Sequence, residues 1–253
     1  MWIADMCLIV LAWRLVPGMP LLVAANRDEF YERPAQAAHW WPDAPQILAG
    51  RDLRSGGTWM GLQADPQQNT PARKFAAVTN VRAPSEFRAD AHSRGDLVSE
   101  FLRNDMSAEV YLQSLKSKGD LYNGFNLLLY DGQDLIWHSN RYQDDARNGK
   151  PLAPGIYGVS NAALDSCWHK VVRTKAEFCS LLCQLAPEDA FFEMLGNTNP
   201  APDCRLPDTG IPFDRERLLS SPCIVSEDYG TRVSSLVRIF DDRAPQLIEK
   251  VLR

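Results

Sequence analysis

The sequence predicts an α+β fold: a four-layer αββα sandwich in which helices cover the outer faces of two stacked antiparallel sheets. Apolar runs of strand length fall into three blocks along the chain, and two pairs of segments with helical spacing separate those blocks. A hairpin signal opens the first block. Strands and helices segregated in this way are typical of helices packed on antiparallel sheets, not of alternating β-α-β units.

The first element is a buried hairpin with polar groups at one end. Apolar residues 7–13 and 21–25 flank the turn sequence Pro17-Gly18-Met19-Pro20, and their length and branched side chains favour strands. Cys7 begins the first strand, and the run Asn-Arg-Asp-Glu at positions 26–29 follows the second. Since the two ends of a hairpin lie side by side, we expect the Cys7 thiol to be close to this polar run.

The middle of the chain contains strand patterns and one pair of helices. Residues 30–45, rich in aromatic side chains and proline, predict an irregular loop. Apolar runs predict strands over residues 46–49, 58–62, 74–81, 125–130, 135–138 and 155–160. Helical spacing predicts helices over 93–104 and 107–117, and serines can cap both starts.

The last third of the chain predicts a second helix pair and the closing strands. The helices are expected over residues 166–185 and 187–195, with a proline at the first turn of the second. Residues 197–217 are rich in Pro, Asp and Asn and predict a long loop. Strands over 223–226 and 233–240 complete the pattern. Because no shift in composition divides the chain, we expect residues 1–253 to form a single domain.

Composition narrows the class of protein. The chain has 253 residues, of which 45% are hydrophobic and 23% charged, which is ordinary for a globular protein. A net charge of −5 argues against general binding to nucleic acid or to anionic membranes. No apolar run approaches a transmembrane helix in length, and no secretion signal is recognisable. The six scattered cysteines are expected to be reduced thiols, so we expect a cytoplasmic protein.

The environment of Cys7 suggests nucleophilic chemistry. Residues 1–6 are either a short propeptide, an over-extended start, or ordinary structure. If they are removed, Cys7 gains a free α-amine, whose ordinary pKa of about 8 suits a general base. A nearby Arg27 would favour the thiolate, and Asp28 could orient the amine. The alternatives are that Cys7 is a small buried hydrophobe and that the polar run is a solvated turn.

Several motifs together resemble the NRDE family, which includes the transport-and-Golgi-organisation-two proteins. Met6-Cys7 and the Asn-Arg-Asp-Glu-Phe run at 26–30 carry the resemblance, and other matching segments extend over essentially the whole chain. These segments are residues 50–52, 56–59, 79–82, 122–126, 158–161 and 229–232. The resemblance implies the N-terminal-nucleophile type of αββα fold.

Within that fold type the family is similar to cysteine amidases such as penicillin V acylases and bile salt hydrolases. The resemblance implies catalytic roles for Cys7, Arg27, Asp28, Asn80, Asn161 and Arg232. Asn80 could stabilise an oxyanion. We further expect Asn26, Glu29 and Trp59 to contact the substrate. The chain departs from the family pattern at its front, where five residues precede Met6.

The same resemblance carries an alternative function. Members of the family have been linked to haem movement and to lipid or acyl-CoA metabolism, which implies a non-catalytic carrier of haem or an acyl ligand. His39, His138 and His169 each stand next to a tryptophan, as a haem ligand in an aromatic slot would, although such histidines more often pack structurally.

A metal site is the weaker alternative. Cys179 and Cys183 lie four residues apart, with Cys167 and His169 upstream, but their apolar helix face favours buried cysteines rather than metal ligands. The leading hypothesis is therefore a cofactor-free cysteine hydrolase or acyl-transfer enzyme that acts on an amide or thioester of a small molecule.

Overall fold

The structure is a computed structural model that describes residues 6–253. Residues 1–5, for which a propeptide, an over-extended start or ordinary structure were considered, therefore lie outside the described residues. The strands are β1 (Met6–Val16), β2 (Met19–Phe30), β3 (Ala35–Trp41), β4 (Ala44–Asp52), β5 (Met60–Gln63), β6 (Lys74–Asn80), β7 (Phe125–Tyr130), β8 (Leu135–Ser139), β9 (Lys150–Pro151), β10 (Gly155–Val159), β11 (Tyr229–Ile239) and β12 (Gln246–Val251). The helices are α1 (Gly95–Arg103), α2 (Ala108–Leu115), α3 (His169–Cys183), α4 (Glu188–Leu195) and α5 (Phe213–Leu218).

The strands form two antiparallel sheets. The five-stranded sheet has the order β10-β1-β2-β11-β12, and the seven-stranded sheet has the order β3-β4-β5-β6-β7-β8-β9. Neighbours in the seven-stranded sheet follow one another along the chain, so it is a meander. In the five-stranded sheet the first hairpin is enclosed by strands from the last hundred residues, which places β1 and β2 inside the sheet.

Three apolar layers hold the sandwich together. Side chains from both sheets, such as Trp13 and Phe75, fill the space between them. Phe101 and other residues of α1 and α2 pack on the outer face of the seven-stranded sheet. Phe178 and Phe192, from α3 and α4, cover the outer face of the five-stranded sheet. This arrangement confirms the predicted four-layer αββα fold.

The first hairpin has the expected register. Cys7 pairs with Arg27, and Met6 pairs with Asp28. Side chains of a strand alternate between its two faces, and Ile9 points into the layer between the sheets. Cys7 is therefore on the side that faces the other sheet, while Met6 is on the side that faces the helices.

Some elements differ from the sequence-based expectation. The predicted loop over residues 30–45 contains β3, and the predicted loop over 197–217 contains α5. Residues 223–226 form only an isolated bridge between Val225 and Gly230 instead of a strand. The sequence analysis did not predict β12. Both β3 and β12 are edge strands with many exposed residues, so they lack the apolar pattern that marks a buried strand.

The predictions for the helix starts and for the cysteines also need correction. Ser107 caps α2 by accepting a hydrogen bond from the Val110 amide, but α1 has no side-chain cap. Cys179 and Cys183 are exposed on α3, so the expectation that they are buried is wrong; they lie off the face that packs on the sheet. All six thiols are free.

Within residues 6–253, no helix has both the length and the apolar character needed to cross a membrane.

Candidate active site

A cavity of about 300 Å³ lies at the end of the sandwich where β1 begins and β2 ends. Both sheets contribute to its wall, and the segment between β6 and α1 forms one side. Of the residues predicted from sequence for the site, Cys7, Arg27, Asp28, Glu29, Trp59 and Asn80 line this cavity. The hairpin therefore brings the Cys7 thiol and residues 27–29 of the polar run to one concave site.

Cys7 is nearly buried, with 5% of its surface exposed, and Arg27 is its direct neighbour across the hairpin. The Arg27 guanidinium lies 3.2 Å from the Glu29 carboxylate, which is 2% exposed, and Arg33 Nε lies 3.5 Å from the same carboxylate. Glu29 thus holds two arginines at the cavity wall. A fixed cation next to a cysteine favours its thiolate form.

Asp28 lies on the opposite face of β2, with its side chain towards the helices. It is fully enclosed, and its Oδ1 accepts a 2.5 Å hydrogen bond from the Thr231 hydroxyl. Burial raises the pKa of the Asp28 carboxyl to about 6, and the positive charge of Lys170 opposes this rise. Asp28 therefore approaches the site from the helix-facing side of the hairpin, where Met6 also lies, and not from the side on which the Cys7 thiol lies.

Asn80 and Asn161 connect the two sheets at the site. Asn161 Nδ2 donates to the Asn80 carbonyl oxygen over 2.9 Å, and the Arg82 amide donates to the Asn161 carbonyl over 2.8 Å. The Ser160 hydroxyl donates to the Cys7 carbonyl over 2.7 Å. These bonds fix the backbone of Cys7 relative to Asn80, although Asn161 itself is not one of the described residues that line the cavity.

Two predicted site residues point elsewhere. The Asn26 amide donates to the carbonyls of Leu195 and Pro222 at 2.9 Å each, and its oxygen accepts from Ser234. Asn26 shares the helix-facing side of β2 with Asp28, and it is absent from the described cavity lining. Its position corresponds to a structural tether, not to the substrate contact expected from the sequence.

Arg232 also lies outside the described lining of the cavity. It occupies an irregularity in the pairing of β11 with β2, and its guanidinium donates to the carbonyls of Arg33 and Phe30. Arg232 therefore supports the turn that carries Arg33, and its connection with the site is indirect.

The sequence analysis missed two residues of the cavity lining, Glu249 and His92. Glu249 comes from the edge strand β12, lines the cavity, and accepts a 2.6 Å hydrogen bond from the Ala38 amide of β3. Burial raises the pKa of the Glu249 carboxyl. His92 lines the cavity from the segment before α1. No local motif marks these residues, because each reaches the site only through long-range pairing of sheets and helices.

The histidines of the haem alternative lie away from the described lining of the cavity. His39 is hydrogen-bonded to the Ala37 carbonyl at 2.8 Å, and His138 to the Asn148 side chain at 2.8 Å. Burial lowers the pKa of His138. Over residues 6–253, no three His, Cys, Asp or Glu side chains are grouped so that they could hold a metal ion.

The sequence profile of the family described as Transport and Golgi organisation 2 matches residues 6–253, almost the whole chain. The chain belongs to this family. The match begins at Met6, the residue before Cys7, and covers every element that forms the cavity.

Known relatives agree with the family assignment. The chain is 35% identical over 239 residues to the Transport and Golgi organization protein 2 homolog of Bos taurus, a match covering 88% of this chain and 83% of the relative. The human homolog is 34% identical over 239 residues, with the same coverage. The Drosophila melanogaster protein is 26% identical over 257 residues, covering 93% of this chain and 87% of the relative.

Among solved structures, the chain is similar to the Caenorhabditis elegans ortholog of N-acylethanolamine-hydrolyzing acid amidase. The TM-score is 0.46 at 10% sequence identity, and the superposition covers 98% of this chain and 100% of that one.

Proposed function

We propose that the protein is a cysteine hydrolase or acyl-transfer enzyme of the N-terminal-nucleophile type, acting on an amide or thioester of a small molecule, with Cys7 as the nucleophile. The observation that carries the proposal is the position of Cys7: it lines a cavity of about 300 Å³ and lies directly across the hairpin from Arg27. A cavity of this size suits a small ligand, and a cysteine beside a cation suits nucleophilic attack.

The proposed reaction has two steps. Cys7 Sγ attacks the substrate carbonyl carbon, the bond from that carbon to the leaving nitrogen or sulfur breaks, and the acyl group remains on Cys7 as a thioester. The thiol proton passes through a base to the leaving amine or thiol. Water, or a second acceptor, then attacks the thioester and restores the thiol.

Each neighbouring residue has a proposed role. Arg27 holds the substrate carbonyl or carboxylate, Asn80 contributes to oxyanion stabilisation, and Glu29 and Trp59 contact the rest of the substrate. The base is the α-amine of Cys7, once residues 1–6 have been removed. Asp28 pairs with Met6 in the hairpin and would lie beside that amine. Asn161 and Arg232 support the backbone around the site.

The first test measures reactivity and turnover together. The four exposed cysteines, Cys167, Cys179, Cys183 and Cys204, are replaced by serine so that Cys7 and the buried Cys223 remain. This background is incubated with iodoacetamide at pH 7 and, separately, with a panel of chromogenic acyl amides and thioesters. We expect Cys7 to be alkylated much faster than Cys223, and turnover to disappear in Cys7→Ala. Turnover that survives in Cys7→Ala would refute the nucleophile.

The second test is intact mass of the purified protein. A mature chain that begins at Cys7 supports the α-amine as base. If active protein retains residues 1–6, the α-amine mechanism is excluded and another base must act.

The alternative function is the carriage of haem or of an acyl ligand, and it can be tested on the same purified protein. Haemin is titrated against the wild type and against variants of His39, His138, His169, His92 and Cys7, and the Soret band is followed. No Soret shift at micromolar haemin removes the haem carrier.

A further inference from the structure

The second residue of α3, Lys170, is a buried charge that the proposed mechanism does not use. It is 2% exposed, and its Nζ has no hydrogen-bond partner among the residues that the structure describes. A buried ammonium without a partner is costly, so natural proteins retain one only where something compensates for it. The charged groups around Lys170 Nζ therefore indicate which role the buried ammonium has.

Asp28 is the negative charge that most strongly compensates for the buried Lys170 ammonium. Its Oδ2 is also enclosed and without a hydrogen-bond partner among residues 6–253, while Oδ1 is held by Thr231. The two side chains come from adjacent layers, with Asp28 on the helix-facing side of β2 and Lys170 on α3, which packs on the neighbouring strands β1 and β10. Asp28 is paired with Met6 across the hairpin, so the Asp28 carboxylate lies close to the residue that precedes Cys7.

The other charges near Lys170 do not all attract it. Arg82 forms a buried ion pair with Glu216, and its positive charge opposes that of Lys170 more strongly than the Glu216 carboxylate supports it. The Asp28 carboxylate is the strongest attraction, and Cys7 is a weaker one. The charged or titratable groups around Lys170 are Asp28, Cys7, Arg82, Glu216, His169 and Arg205.

Both members of the pair are ionised near neutral pH. Burial lowers the pKa of Lys170 to about 8, and the negative charges of Asp28 and Cys7 oppose this shift. Burial raises the pKa of Asp28 to about 6. Between these values Lys170 is a cation enclosed in a medium of low dielectric constant, where its field acts strongly on neighbouring groups.

We infer that Lys170 is a positioning residue for the Cys7 site: its ammonium holds the Asp28 carboxylate beneath the start of β1 and stabilises the Cys7 thiolate through space. The inference rests on the proposed function only in taking Cys7 as the reactive group. It applies whether or not residues 1–6 are removed, since it does not require the α-amine.

The test follows the pH profile of Cys7 alkylation by iodoacetamide in the background without the four exposed cysteines. Lys170→Met removes the charge with little change in shape. We expect its alkylation midpoint to rise by about one pH unit, so that the rate at pH 7 falls about tenfold. Lys170→Arg keeps a cation and is expected to return the midpoint towards the wild-type value.

Lys175→Met is the matched control. It removes a lysine from the same helix, where Lys175 pairs at 2.5 Å with the partly exposed Asp165. Its profile should match that of the wild type. A Lys170→Met profile that also matches the wild type, in a folded protein, overturns the inference, because a purely structural lysine would not move the thiol midpoint.

A second comparison covers the case in which Lys170→Met does not fold. The double variant Asp28→Asn/Lys170→Met leaves no lone buried charge, and it is compared with Asp28→Asn/Lys170→Arg, in which the guanidinium stays charged. We expect a higher midpoint in the variant with methionine, and equal midpoints would overturn the inference. If instead wild-type Cys7 is unreactive at pH 7 and no substrate turns over, the proposed function fails. If wild type turns over substrate but Lys170 does not affect the midpoint, only this inference fails.

Discussion

At the scale of single residues, the polar residues 26–29 near the end of β2 belong to two layers of the molecule. Arg27 and Glu29 face the cavity, whereas Asn26 and Asp28 project from the helix-facing side of β2, where Asp28 still contributes to the cavity lining. The alternation of a strand imposes this division, since neighbouring side chains point to opposite faces. A run that looks like one polar cluster in the sequence therefore has two roles: charge at the cavity and hydrogen bonding beneath it.

Asn26→Ala should destabilise the protein by about 2–3 kcal/mol, because it leaves the buried carbonyls of Leu195 and Pro222 and the Ser234 hydroxyl without their partner. Urea unfolding measures this change. The exposed Asn199→Ala is the control and should change stability by less than about 0.5 kcal/mol. Unchanged stability of Asn26→Ala together with a raised KM would restore the predicted substrate contact.

The buried ion pair between Arg82 and Glu216 gives a second prediction. Arg82→Met leaves the Glu216 carboxylate enclosed without its cation, and should cost about 3 kcal/mol of unfolding free energy. Arg217→Met breaks a half-exposed pair with Asp203, separated by 3.5 Å, and should cost less than about 1 kcal/mol. Chemical denaturation of both variants checks the ranking, and equal costs would contradict it.

At the scale of elements, one wall of the cavity depends on a close backbone contact. The loop that follows β4 meets the start of α1 at Gly57, where a Cβ would lie 2.8 Å from the Gly95 carbonyl carbon. This approach admits only a residue without a side chain. The paired glycines thus seat the loop that carries Thr58 and Trp59 into the cavity.

Gly57→Ala should therefore push this loop away from α1, lower stability by about 1–3 kcal/mol and slow Cys7 alkylation at pH 7. Thermal unfolding and the alkylation rate measure the two effects. In the control Gly119→Ala, the new Cβ meets only Asn140 at 4.0 Å, so both quantities should stay near their wild-type values. Wild-type stability in Gly57→Ala would show that the loop is not held by this contact.

The elements that were predictable from sequence are those with a local signal. Two apolar runs and a turn sequence predict the first hairpin, and its register then places Cys7 opposite Arg27. The edge strands β3 and β12 carry no such signal, since one of their sides is open to solvent. Glu249 could not be placed from sequence, because its strand reaches the site only after β11 has paired with β2.

At the scale of the whole molecule, the cavity lies where the two sheets come together at one end. The Glu249 carboxylate of the five-stranded sheet accepts a hydrogen bond from Ala38 of the seven-stranded sheet, and Asn161 joins β10 to β6. The sequence predicted the layers, since hydrophobic periodicity encodes them. The junctions between layers involve single polar side chains, which periodicity does not reveal.

The buried pair of Asp28 and Lys170 should affect global stability through pH. Because the pKa of Asp28 is raised from 3.8 to about 6, the folded protein keeps this proton longer than the unfolded chain, so stability falls as pH rises across that interval. The pKa of Lys170 is lowered from 10.5 to about 8, so the unfolded chain holds more protons above pH 8 and stability recovers as pH rises.

We therefore expect the stability of wild type, relative to Asp28→Asn/Lys170→Met, to be lowest between about pH 6 and 8 and to rise by about 2 kcal/mol on each side. Urea unfolding of both proteins from about pH 4 to pH 10 measures the difference. A difference that does not vary with pH would contradict the prediction.

The distribution of thiols has a practical consequence for anyone who handles this protein. Four of them are on the outer surface, far more accessible than the nearly enclosed Cys7. Storage in air should therefore cross-link molecules into covalent dimers on non-reducing gels before the interior sulfur is touched. A reductant should convert these covalent dimers back to monomers.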